Sequence, residues 1–143
     1  YRQLYITNIT QLSKDSSKEV VAIRFASRTA HLNELIKVSA RYKTPKITDS
    51  VKSILREELE LDDEYITVDD CSNSYTFMGM NRRPLDLIIS LCTRTIPPKQ
   101  TNPGYFCFET KSGFKYISAD TIINSKSFPR KYKFNGSNFL HLN

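Results

Sequence analysis

Arg83-Pro84-Leu85-Asp86-Leu87-Ile88-Ile89-Ser90-Leu91-Cys92, followed after a loop by Tyr105-Phe106-Cys107-Phe108-Glu109-Thr110-Lys111-Ser112-Gly113-Phe114-Lys115-Tyr116-Ile117, is the stretch that decides how this chain is read. Pro84 suits the first turn of a helix, where its missing N–H has no partner to lose, and Asp86 favours the positive end of the helix dipole. Leu85, Leu87, Ile88, Ile89, Leu91 and Cys92 cover almost every direction around that helix, which predicts deep burial. Pro97-Pro98 prevents its continuation. Residues 105–110 and 114–118 then read as two strands turned at Lys111-Ser112-Gly113, with Gly113 supplying positive φ. Phe106 and Phe108 share one face, as do Phe114 and Tyr116, so cross-strand aromatic contacts packed on the helix are expected. Aromatic residues at this spacing are core, not a cofactor site.

Upstream, residues 4–12 alternate as a strand with Leu4, Ile6 and Asn8 on one face and Tyr5, Thr7 and Ile9 on the other. A polar turn at 14–18 leads to the β-branched run Glu19-Val20-Val21-Ala22-Ile23-Arg24-Phe25-Ala26-Ser27, which completes an antiparallel hairpin. Residues 29–43 fit either a short helix or an irregular crossing segment. Pro45 favours extended backbone before it, and Thr48 or Asp49 can cap a helix over 50–61 whose Val51, Ile54, Leu55 and Leu59 fall on one face. Asp62-Asp63-Glu64 marks its end; the spacing and glycine of a calcium-binding loop are missing. Residues 65–68 read as a brief strand and 71–80 as an extended arm with Tyr75, Phe77, Met78 and Met80 partly buried and Gly79 at a bend. Residues 99–104 are a polar loop.

With 143 residues, 39% hydrophobic and 25% charged, the composition is that of one ordinary globular domain. The first residues lack the apolar region of a signal peptide and no run approaches a membrane span, so no membrane partner is expected. Because the sequence opens on Tyr1 and not Met, it is expected to be a piece of a larger protein. Cys71, Cys92 and Cys107 are too few and too widely spaced for a disulfide framework or a Cys-x-x-Cys metal site and read as small buried hydrophobes. His31 and His141 have no His-x-x-His partner, so neither metal nor cofactor is expected.

Chemistry is scarce. Four glycines build no phosphate loop, no dinucleotide turn and no nucleophile elbow, and adjacent pairs such as Glu57-Glu58 and Asp69-Asp70 diverge instead of facing across a substrate. No catalytic residue is expected. The net charge of +6 is dense only near the end, where Lys126, Arg130, Lys131 and Lys133 interleave with Phe128, Tyr132 and Phe134 as on a surface that binds single-stranded nucleic acid.

The order of strand, crossing segment, capped helix, strand, arm ending in Asn81-Arg82-Arg83-Pro84, buried helix with Asp86 and aromatic hairpin resembles the hub proteins of contractile-tailed phage baseplates. Related late-control proteins and type VI secretion spike proteins are similar. The resemblance covers roughly residues 4–123 and is most specific at Arg83-Pro84-Leu85-Asp86 and Phe108-Glu109-Thr110-Lys111-Ser112-Gly113-Phe114; its signature residues are Pro84, Leu85, Asp86, Ile88, Phe106, Phe108, Gly113, Phe114 and Tyr116. It implies an α+β fold, a small antiparallel β-barrel or strongly curved sheet with two main helices packed on its rim. Residues 1–125 would form this hub domain and 126–143 a basic aromatic extension. By the same resemblance the protein is a non-catalytic structural component of the virion tail, assembled in the host cytoplasm. It would be a homotrimer adapting tail tube to spike, with an exposed edge strand at 4–12 extending across a subunit boundary. The basic surface would face an acidic neighbour or the lumen through which DNA leaves. The alternative is a nucleic-acid-binding module using Lys126, Arg130, Lys131 and Lys133; a hydrolase assembled only in space ranks third.

Overall fold

A computed structural model describes residues 4–15, 17–99 and 104–125. The basic aromatic extension, with Lys126, Arg130, Lys131 and Lys133, lies outside the described residues. The elements run β1 (Leu4–Lys14), β2 (Glu19–Ser27), α1 (Arg28–Leu35), β3 (Arg41–Tyr42), α2 (Ile47–Ser53), β4 (Ile66–Val68), β5 (Phe77–Met78), α3 (Pro84–Cys92), β6 (Tyr105–Thr110), β7 (Gly113–Ser118) and α4 (Ala119–Asn124). The fold is α+β, but no barrel forms. Among the described residues there are three separate sheets: β1-β2, β3-β5 and β4-β7-β6, the last with β4 parallel and β6 antiparallel to β7. Closure would need more strands, joined edge to edge, than the three short ones that share a ladder here. The side a barrel would enclose is occupied by helices: Leu87, Ile88 and Leu91 of α3 and Ile47 and Val51 of α2 are buried together with Tyr105, Phe114 and Tyr116.

Two local readings also change. The helix expected over 50–61, α2, starts at Ile47 after Lys46, and neither Thr48 nor Asp49 caps it: Thr48 is buried, its hydroxyl sharing a 3.5 Å hydrogen bond with the Cys71 thiol. After Ser53 the helix widens into a π-turn at Ile54–Glu58, the Leu59 N–H donating to the Ile54 carbonyl at 3.3 Å. That wider turn lets Ile54, Leu55 and Leu59 all point inward. Met78 and Met80 are exposed, not partly buried.

The aromatic hairpin forms with the expected turn and with Phe114 and Tyr116 inward as expected, but the first strand faces the other way. Cys107 lies across from Tyr116 and Glu109 from Phe114, whereas Phe106 lies across from Ile117 and Phe108 from Lys115. Cross-strand partners share a face, so Tyr105, Cys107, Phe114 and Tyr116 face the helices while Phe106 and Phe108 point away and stay exposed. The aromatic contact made is Tyr105 on Tyr116, ring centroids 5.1 Å apart. Tyr116 is fully buried and its hydroxyl shares a 2.5 Å hydrogen bond with Thr95, which satisfies the one polar atom it carries into the core.

Gly113 holds φ at +132°, and a Cβ there would lie 2.2 Å from the Tyr65 carbonyl oxygen, so it is required twice over. Replacing it with alanine should cost about 3 kcal/mol or more in chemical denaturation. Gly104→Ala, at φ +106° but facing open space, should cost about 1 kcal/mol; equal losses would show that the Tyr65 contact does not matter. Burial, followed by the Glu58 and Glu57 carboxylates, pushes the Tyr42 hydroxyl up to about 12, and burial likewise raises Tyr105 and Tyr116. A raised tyrosine favours the fold fully below the ordinary value of about 10; the unfolded chain ionises first, so that stability is lost as pH climbs from about 10 through the folded-state value. Denaturation midpoints should therefore fall across that window, and Tyr42→Phe should make the fall shallower.

Candidate functional site

The β1-β2 hairpin carries the least satisfied surface among the described residues. Its register shifts twice, between Ile6 and Asn8 and between Gln11 and Ser13, so that Thr7 and Leu12 are extra residues in the ladder. A strict alternation would put Ile6 and Ile9 on opposite faces, since they are three residues apart. The bulge at Thr7 absorbs one residue, and Ile6 lies across from Phe25 while Ile9 lies across from Ile23. The Thr7 hydroxyl donates to the Arg24 carbonyl at 3.3 Å, giving the bulged residue a partner. One face of the hairpin therefore gathers Leu4, Ile6, Ile9, Val21, Ile23 and Phe25, each between 42% and 62% exposed. The other face carries Tyr5, Asn8, Thr10, Ala22, Arg24 and Ala26.

Contacts with the rest of the fold gather at the hairpin's base. Tyr5 stacks on His31 with centroids 4.9 Å apart. Ser27 caps α1, its hydroxyl accepting from the Ala30 N–H at 3.2 Å and donating to a Glu109 carboxylate oxygen at 2.6 Å. Thr29 donates to the other Glu109 oxygen at 3.5 Å. The helix α1 is in turn fixed to α3. Asn33 accepts from the Leu85 N–H at 2.8 Å, satisfying one of the free amides at the α3 start, and Glu34 meets Arg83 at 2.8 Å. A further ion pair joins Arg28 to Glu60. Both exposed pairs contribute little by themselves; the Asn33 and Glu109 bonds, partly buried, carry more.

Of the signature residues, Pro84, Ile88, Gly113, Phe114 and Tyr116 line the core, Leu85 packs against it, and Asp86, Phe106 and Phe108 face out. The motif that carries the resemblance thus meets α1 through Arg83 and Leu85, and the mounted base of the hairpin through Glu109. The apolar face itself was not singled out from the sequence. Its signal was the density of Leu, Ile, Val and Phe on both predicted strands, concealed by the odd spacing of Ile6 and Ile9.

A cleft of about 330 Å³ lies between Asp69, Asp70, Ser118 and Pro97-Pro98. Its carboxylates already have tasks. Asp69 accepts from the Ser118 N–H at 2.9 Å and from the Thr121 hydroxyl at 2.5 Å, securing the start of α4. Asp70 takes both of its bonds from Lys46, at 2.6 and 2.7 Å, and that hydrogen bond holds its carboxyl below the usual range while raising the lysine. No cysteine or histidine lines the cleft, and among the described residues no group of three or more His, Cys, Asp or Glu could hold a metal ion. No described helix is long and apolar enough to cross a membrane.

Comparison of the chain with protein-family models, with curated proteins and with solved structures found no match. The mount makes its own prediction. Glu109→Ala should lower stability by roughly 2 kcal/mol through the loss of charge-assisted bonds. Amide exchange should accelerate in α1 and at the hairpin base while the α3 amides stay protected; uniform acceleration would mean that Glu109 supports the whole core instead of the mount.

Proposed function

We propose that the chain is a non-catalytic assembly module that joins copies of itself through the apolar face of the β1-β2 hairpin. The observation behind this reading is the row Leu4, Ile6, Ile9, Ile23 and Phe25, brought to one face by the Thr7 bulge and left about half exposed. An isolated two-stranded hairpin is marginal in water, and an apolar face left wet adds to its cost. Each copy brings six large apolar side chains, 42% to 62% exposed, toward the roughly 800 Å² per partner of a standard interface.

A second copy suits the surface for two reasons. Among the described residues β1 and β2 each pair on one side alone, so both have an open edge there that can extend a ladder into another copy. The hairpin tip carries both signs, Lys14 and Lys18 with Asp15 and Glu19, so identical tips can oppose unlike charges. The sequence resemblance supplies a setting, the trimeric hub of a contractile-tail baseplate between tube and spike. That setting rests on the Arg83-Pro84-Leu85-Asp86 and Phe108-Glu109 motifs and not on a barrel, which the fold lacks.

Sedimentation of the purified chain tests the proposal. The wild type should form dimers or trimers in a concentration-dependent way. Ile9→Asp with Phe25→Asp should sediment as a monomer with a thermal midpoint close to that of the wild-type monomer, because both side chains are exposed in the single chain. A wild type that stays monomeric at its highest soluble concentration overturns the reading.

A further inference from the structure

β3 and β5 form a narrow ribbon that takes no part in the hairpin mount or the proposed interface. Arg41 pairs with Met78 and Tyr42 with Phe77, the Gly79 N–H donates to the Ala40 carbonyl at 2.9 Å, and the Val38 N–H donates to the Arg82 carbonyl at 2.8 Å. Met80 and Asn81 loop out between these bonds with φ of +51° and +59°, and the Arg82 N–H closes the turn on the Gly79 carbonyl at 3.1 Å. Arg82 thereby returns to the ladder opposite Val38. The two sides of the ribbon differ. Tyr42 is buried and stacks on Phe77 at 5.0 Å, Phe77 stacks on Tyr75 at 5.9 Å, and the Arg94 guanidinium lies over the Tyr75 ring at 4.8 Å. Arg41 and Lys43 alternate with Tyr42 and are exposed on the other side.

The charge on this ribbon has one sign. Residues 36–46 and 71–83 carry Lys37, Arg41, Lys43, Lys46, Arg82 and Arg83 and no Asp or Glu. Lys46 is paired with Asp70 and Arg83 with Glu34. Lys37, Arg41, Lys43 and Arg82 are exposed, and none of the four has a carboxylate partner among the described residues. Four uncompensated cations on one two-stranded element repel one another, and a polyanion laid along the ribbon relieves that repulsion.

We propose that the β3-β5 ribbon binds the phosphodiester backbone of a nucleic-acid duplex without reading its sequence. Arg41 and Lys43, two residues apart on extended backbone, are set about 7 Å from each other along the chain, on the order of the separation between successive phosphates of one strand. An acidic peptide matches the sign of the charge but not that fixed spacing. Two of the four cations are arginines, whose planar forks suit phosphate oxygens. A two-stranded ribbon is also narrow enough for the major groove. The duplex is favoured over a single strand because the aromatic rings lie behind the charged side and stack on one another and on Arg94, so they form no platform for unpaired bases. Phosphate contacts fix position and carry no sequence information. This surface is separate in sequence from Lys126, Arg130, Lys131 and Lys133.

Fluorescence anisotropy of the full chain with a labelled DNA duplex of mixed sequence, titrated over a salt series, tests this. The logarithm of the affinity should fall linearly with the logarithm of the salt concentration. Arg41→Gln with Lys43→Gln should weaken binding equally for duplexes of unrelated sequence and make the slope shallower by about 2, close to 1 for each phosphate contact removed. The same change should appear when Lys126, Arg130, Lys131 and Lys133 are all glutamine, which separates the ribbon from the basic extension. Arg41→Lys with Lys43→Arg should keep the slope, since the charge is kept. Thermal midpoints close to the wild type, expected for exposed side chains without ion pairs, control for misfolding. No duplex binding at low salt, an unchanged slope in the glutamine double variant, tighter binding of the single strand than of the duplex, or displacement by poly-glutamate as effective as by unlabelled duplex overturns the proposal.

Discussion

The Glu109 carboxylate ties together two parts of the chain that share no backbone ladder. The β1-β2 hairpin is a sheet of its own, and β6 belongs to another. Ser27 and Thr29 reach across a sequence separation of about eighty residues to the two oxygens of Glu109, and through Ser27 the same contact sets the first turn of α1. A neutral hydroxyl pair would be weaker, since bonds to an ionised acceptor are roughly twice as strong. With α1 so placed, Asn33 can cap α3, and α3 with α2 fills the side of the sheet on which Tyr116 and Phe114 lie. The orientation of the hairpin therefore depends on the strand that forms the core's wall.

Much of this order was legible from single residues. Pro84 placed the start of α3, Gly113 the turn of the last hairpin, and the β-branched run at 19–27 the second strand, because each acts through local backbone geometry. What was not legible turned on pairing. Phe106 and Phe108 look like core by type, yet the register of β6 on β7 puts Tyr105, Cys107 and Glu109 inward instead, a choice that no residue on β6 makes alone. Thr48 has the chemistry of a cap, but its place against Cys71, a long-range contact, moves it inside the helix. The barrel expectation failed for the same reason: strand order can be guessed from sequence, whereas closure depends on which edges meet.

The candidate surface shows this limit most clearly. Ile9 reads as facing away from Ile6 because strand alternation has a period of two, and only a bulge restores them to one side. Bulges serve in some proteins to twist an edge away from partners. Here the two shifts do something different: the first extends the row of Leu4 and Ile6 to Ile9, opposite Ile23, and the second comes only at Leu12, beyond that row. A bulge whose sole effect was to blunt an edge would have no need to collect Leu4, Ile6, Ile9, Ile23 and Phe25 on one side. Thr7, small and polar, is suited to the extra position because its hydroxyl finds the Arg24 carbonyl there. The local chemistry of one threonine thus decides whether five large apolar side chains are scattered across two faces or gathered on one that another copy of the chain can cover.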